Sequence, residues 1–166
     1  MNKLNDLKGQ TQLPLYYEAR MSWGRIHERV STNATYTNIT ICDEWYTFSN
    51  FYNWYVDNVV EGWQLDKDMK GGNMYSPENS IFIPQHINLL FRSIQSPQGK
   101  GVSRTKSGKY QAQAHWEGMP HKFGTWDTPD EATNAYEKGR KQYLYNLSVQ
   151  YNQYEELSTV LYKLSK

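Results

Sequence analysis

At 166 residues the chain has room for one full domain or two small ones, and only 38% of it is hydrophobic, slightly under the usual globular share. The lone cysteine, Cys42, excludes an internal disulfide and a cysteine-based zinc site. No apolar run is long enough to span a bilayer and no signal-peptide pattern is visible, so no membrane partner and a cytoplasmic location are expected. A net charge of +1 says little about partners by itself. Aromatic residues make up 15% of the chain, with 14 Tyr and 6 Trp. Such side chains bury a ring while keeping a polar tip, so they can build a core where aliphatic residues are few.

In chain order, a weakly helical segment is expected over Pro14 to Val30, followed by the polar loop "STNATYTN". A better-marked helix lies in "YTFSNFYNWYVDNVV". Phe48, Phe51, Tyr52 and Tyr55 recur at i, i+3, i+4 and i+7 there, which makes one apolar stripe. Residues 64–93 read as strand, loop, strand and helix, the strand "SIFIP" leading to "PQHINLLFRS" with Pro84 at the first helical position. "IQSPQGKG" is a polar, glycine-bearing linker. Three strand-like runs follow, punctuated by Ser107-Gly108 and Glu117-Gly118. In the middle run Tyr110, Ala112, Ala114 and Trp116 alternate with Gln111, Gln113 and His115, giving one apolar and one polar face. Thr128-Pro129-Asp130-Glu131 is a capping box with proline at the first helical position, and its helix should run from Pro129 to about Tyr145. The tail carries Leu147, Tyr151, Tyr154, Leu157, Leu161 and Leu164 at helical spacing. That stripe can pack back on the chain or form a homodimer through the C-terminal helix.

Two places carry candidate chemistry. The first is "LDKDMKGGN", Leu65 to Asn73, where two carboxylates flank a lysine beside a double glycine. It fails as a calcium loop, because Lys70 occupies position 5 and Pro77 occupies position 12, where a bidentate glutamate is required. It can also be read as a solvated turn, as a phosphate-binding turn using Lys67 and Lys70, or as part of a metal site. The second is the stretch from Gln98 to Trp126. Five cations, Lys100, Arg104, Lys106, Lys109 and Lys122, face the single acid Glu117 there, a net +4 that leaves the rest of the chain at −3. A basic sheet is a candidate phosphate-binding surface.

The run "GVSRTKSGKYQAQAHWEGMPHKFGTWDTPDEATNAYEKG" resembles the ethylene-responsive-factor type DNA-binding domain. Its opening Gly-Val, "SGKY" turn, alternating strand, "FGTW" and "DTPDEATNAY" helix start agree in order. The resemblance implies a three-stranded antiparallel sheet packed on one helix, with the sheet laid in the major groove of double-stranded DNA. It places DNA contacts at Lys100, Ser103, Thr105, Ser107, Gln113, His115 and Lys122. Gln111 shares the polar face, and Arg104, Lys106 and Lys109 add charge beside the turn, suited to phosphates. Plant members carry mostly Arg, Trp and Glu at the matching positions, so their target sequence does not transfer.

Upstream, residues 41–91 carry "CDEW", an aromatic helix, "LDKD", "YSPEN" and an "IN" on the last helix. This set resembles the phage HNH homing endonuclease family, whose strand, loop, strand and helix hold one divalent metal, Mg2+ or Mn2+. The resemblance implies Asp66 and Asn88 as metal ligands and Asn79 as the middle asparagine. Lys67 stands where the family has its general-base histidine. Imidazole can take a proton from water near neutral pH, whereas a lysine flanked by Asp66 and Asp68 favours its charged form. His86, two residues before Asn88 on the helix, points to another face and reads as an ordinary surface histidine.

The expected fold is α+β. An HNH-like ββα-metal module spans residues 1–95, the sheet-and-helix domain spans 96–145, and a C-terminal helical extension spans 146–166. Three functions compete. One is a DNA-binding protein of the HNH type with catalysis weakened or lost. Another is an active metal-dependent endonuclease that nicks or cleaves DNA. The third is an interaction factor that binds a host or phage protein through the aromatic module and the C-terminal helix.

Overall fold

A computed structural model of the chain describes residues 2–32, 38–91 and 97–166. Most of the expected loop after the first helix and part of the expected linker fall outside those residues. The chain divides into two compact units, residues 1–88 and 89–166. Its architecture is mixed α+β. Among the described residues no helix is long and apolar enough to cross a membrane.

The first unit is built on rings. Helix α1 (Tyr16–Thr32) buries Tyr16, Ala19, Trp23 and Ile26 along one face. After strand β1 (Thr40–Ile41) and a short 3-10 helix (Asp43–Tyr46), helix α2 (Phe48–Asn58) buries the expected stripe of Phe48, Phe51, Tyr52 and Tyr55. The polar tips find partners, as Tyr and Trp require in a core. The Trp23 indole N–H donates to the Trp45 carbonyl at 2.6 Å, and the Tyr52 hydroxyl donates to the Pro14 carbonyl at 2.8 Å. Cys42 is buried beside these rings, and that burial pushes its thiol up to about 11.

Beyond α2, strand β2 (Gln64–Asp66) pairs antiparallel with β4 (Ile81–Ile83), matching Asp66 with Ile81. Between them β3 (Met74–Tyr75) pairs parallel with β1, a pairing the sequence reading lacked. Helix α3 (Gln85–Leu90) follows. Pro84 stands just before it rather than inside, and its carbonyl accepts from Ile87 and Asn88.

The second unit is the expected sheet on a helix. Strands β5 (Val102–Arg104), β6 (Tyr110–Trp116) and β7 (Met119–Trp126) form one antiparallel sheet in that order. Glu117 (φ 49°) and Gly118 (φ 75°) both adopt positive φ at the β6–β7 turn, the signature of a type I′ hairpin. Helix α4 (Pro129–Gln150) starts at the capping box, with the Thr128 hydroxyl accepting from the Glu131 amide and the Glu131 carboxylate accepting from Thr128. It lies across one face of the sheet, where Trp116 stacks on Tyr143 with centroids 4.4 Å apart.

Helix α4 runs five residues past the expected end. Leu147, beyond that end, is fully buried, so the helix gains packing by continuing. The tail is not one helix either. The chain turns at 151–154, and α5 (Glu155–Leu164) folds back so that Leu157 and Leu161 are buried in a hairpin with α4. Leu147, Leu157 and Leu161, half of the apolar stripe considered for dimerisation, are therefore buried within one chain.

Gly101 limits how closely the sheet and α4 can approach. It sits at φ +73°, and a Cβ there would overlap the Tyr136 ring and lie 2.9 Å from the Gln113 carbonyl oxygen. Gly101→Ala should cost about 2–4 kcal/mol through left-handed strain plus overpacking. Urea unfolding checks this, and a loss under about 0.5 kcal/mol would contradict the packing described.

Candidate nucleic-acid interface and metal-ligand set

Strand register decides which side chains of the second unit share a surface. Gln111, Gln113 and His115 lie on the face of β6 turned away from α4, opposite buried Ala112 and Trp116. Across the ladder Ser103 pairs with Gln111, Gln111 with Thr125, and Gln113 with Lys122. Paired residues project to the same face. Ser103, Gln111, Gln113, His115, Lys122 and Thr125 therefore form one polar surface. All but the half-buried Gln111 are exposed.

Thr125 was missed by the sequence reading for a physical reason. Lys122 and Thr125 are three residues apart, and strict alternation would put them on opposite faces. A register shift opposite Ala112 and Gln113 leaves Phe123 as an extra residue on β7. That bulge returns Thr125 to the outer face. Gly124, at φ +114° beside the Trp126 indole, supplies the backbone conformation.

Other expected contacts are differently placed. Arg104 pairs with Tyr110, which is in phase with buried Ala112, so Arg104 belongs to the α4 side of the sheet. Lys100 is half-buried and its Nζ donates to the Leu90 carbonyl at 2.9 Å. Burial, then the neighbouring Arg140, lowers its pKa. Lys109 is ion-paired with Asp127 at 2.8 Å, and that bond raises its pKa. The Thr105 hydroxyl donates to the Lys109 carbonyl and lies 2.9 Å from the Ser107 hydroxyl, closing the β5–β6 turn. Lys106 stands exposed on that turn.

In the first unit, "LDKDMKGGN" forms a turn organised by Asp66. Its Oδ2 accepts from the Met69 amide at 2.8 Å. Burial raises the Asp66 pKa, with Asp68 adding to the rise, while the amides of Met69 and Asp68 oppose it. Lys67 is only 2% exposed and its Nζ contacts the Asp68 carboxylate, 5.7 Å from the centre of the Tyr75 ring. The Lys70 Nζ donates to the carbonyls of Glu78 and Ser80. Both ammonium groups thus have partners within the fold, which counts against the phosphate-turn reading. Asp68 is the exposed partner of Lys67, with its side chain 64% accessible.

Asn79 lies directly over Gly72, where a Cβ would overlap its amide, and its backbone N–H donates to the Ser76 hydroxyl. On α3 the Asn88 Nδ2 donates to the Gln64 Oε1 at 3.2 Å. Gln64 is two residues before Asp66 on β2, so Asn88 reaches the face of the strand that carries Asp66. Among the described residues no group of three or more His, Cys, Asp or Glu side chains is placed to hold a metal. Asp66 and the Oδ1 of Asn88 are hard oxygen donors, chemically suited to a Mg2+ ion that keeps most of its waters. His86 is half-buried on α3.

Comparison with protein-family models, curated proteins and solved structures finds no match to this chain.

Because the folded-state pKa of Asp66 is raised, its ionisation opposes folding. Its contribution is most favourable below the unfolded value of about 3.9 and is lost as pH rises through the raised folded value. Asp66→Asn keeps an acceptor for the Met69 amide without the charge. The variant should gain stability over the wild type at pH 7, with the gap closing toward pH 3. Urea midpoints across pH check this, and a variant less stable at pH 7 would contradict it.

Proposed function

We propose that this protein binds double-stranded DNA through the outer face of the β5–β6–β7 sheet, as a protein of the HNH homing endonuclease type whose catalysis is weakened or lost. The observation that carries the reading is the polar surface of Ser103, Gln111, Gln113, His115, Lys122 and Thr125 on the sheet face not covered by α4. The major groove admits β-structure, and a glutamine there can bond bidentately to adenine. Gln111 and Gln113 supply that chemistry. Lys122, in register with Gln113, suits guanine or a phosphate. Lys106, on the exposed turn, suits a phosphate.

The ββα segment supports the second half of the reading. When bound, a divalent cation held by Asp66 and Asn88 would supply charge stabilisation at a phosphate oxygen. The remaining requirement is a base for water, and the side chain at that position is Lys67. Buried against the Asp68 carboxylate, the Lys67 side chain supports a structural use over activation of water. The interaction-factor reading finds less support. Its aromatic module uses Trp45, Phe48 and Phe51 as interior packing, and Leu157 and Leu161 are interior as well.

Two experiments test the proposal. In duplex binding across salt concentrations, Gln113→Ala should relax sequence preference by about 1–3 kcal/mol at one base pair. Lys106→Ala should weaken all duplexes alike and lower the salt slope by about 1. The reverse pattern would contradict the face assignment. Supercoiled plasmid should stay intact with Mg2+ or Mn2+. Metal-dependent nicking that Asp66→Ala abolishes would establish the active-nuclease alternative instead.

A further inference from the structure

The first unit carries a net charge of −3 over residues 1–88, with ten acids against seven bases. Three of those seven bases line one groove. Lys3, Arg20 and Arg25 surround a cavity of about 490 Å3 between the N-terminal segment and α1, with Glu28 as the one acid on its rim. The groove follows from helical spacing. Tyr16, Ala19, Trp23 and Ile26 turn into the core. Arg20, Gly24 and Glu28, four residues apart, and Met21 with Arg25 fall on the outward side. Gly24 has nothing within 4 Å of where a Cβ would stand, so the floor of the groove is open there.

The cations gather without matching anions. Among the described residues Arg20 and Arg25 make no hydrogen bond or ion pair. The Lys3 Nζ sits 4.3 Å above the Trp23 ring. Burial lowers the Lys3 pKa, repulsion from Arg20 lowers it further, and Glu28 opposes both. Like charges held together beside an open groove gain free energy from a bound anion. The mixed lining suits a phosphodiester, whose oxygens take the guanidinium groups while its sugar meets exposed Met21.

We infer that the Lys3–Arg20–Arg25 groove is a second, sequence-independent contact for the phosphate backbone of duplex DNA. This rests on the DNA-binding reading above but uses residues of the other unit. The groove fixes no base, so its contribution is affinity and salt dependence.

The test is duplex binding of the full chain across salt, with the double variant Arg20→Ala/Arg25→Ala beside Lys106→Ala and Arg29→Ala. Both replaced arginines are exposed, and thermal melting confirms that the double variant stays folded. It should lower the slope of log affinity on log salt by about 2 and weaken matched and mismatched duplexes by the same factor, about ten-fold. Arg29→Ala, on the same helix but outside the groove, should change neither. An unchanged slope in the double variant overturns the inference. If Lys106→Ala still lowers the slope, the sheet reading survives that result. If only the double variant lowers it, the sheet reading fails and the groove stands. An equal loss in Arg29→Ala overturns the assignment to this groove.

Discussion

The close approach of α4 to the three-stranded sheet decides what the second unit can present. Gly101 leaves room for the Tyr136 ring, and Gly139 leaves room for the Phe123 ring, where a Cβ would overlap it. With those contacts made, the helix covers the face of Val102, Ala112 and Trp116. The opposite face, with Gln113, His115 and Lys122, is left to solvent. The Tyr143 hydroxyl donates to the Glu117 carboxylate at 2.6 Å, holding the hairpin turn to the same helix. Every functional assignment on the sheet follows from which face α4 covers.

The first unit meets a different constraint. With few aliphatic residues, it depends on rings whose polar atoms need partners inside. The same economy extends to charges. Lys67 and Asp66 are both buried, and each is held by the turn it belongs to. Lys67 is thereby turned to structural use. The ligand-type oxygens of Asp66 and Asn88 remain on one side of β2.

Much of the architecture could be read from residue order because the signals were local. The α2 stripe, the glycine turns and the Thr128–Glu131 capping box each depend on residues within one or two turns of chain. What escaped depends on partners far away in sequence. The β1–β3 pairing joins two-residue strands more than thirty positions apart. The bulge at Phe123 is fixed by a ring fitting against α4, and it reassigns Thr125. The helix break at 151–154 contains neither glycine nor proline. A solvated turn was one reading of the segment that holds Lys67, because charged residues are usually solvated, and only the fold around Lys67 reveals its burial. Among the candidate DNA contacts, alternation placed Gln111, Gln113 and His115 correctly on the outer face. Counting charge alone gave no sign that Lys100 and Lys109 have partners within the chain or that Arg104 lies on the other side.

The outer sheet face is the DNA-binding surface we propose. The most direct measurement is a titration of the labelled protein with duplex DNA at low salt, followed residue by residue through backbone amide resonances. The largest perturbations should cluster on Ser103, Gln111, Gln113, His115, Lys122 and Thr125, with the buried Ala112 and Leu161 little changed. Perturbations that spare this set, or no perturbation at low salt, where phosphate contacts are strongest, would contradict it.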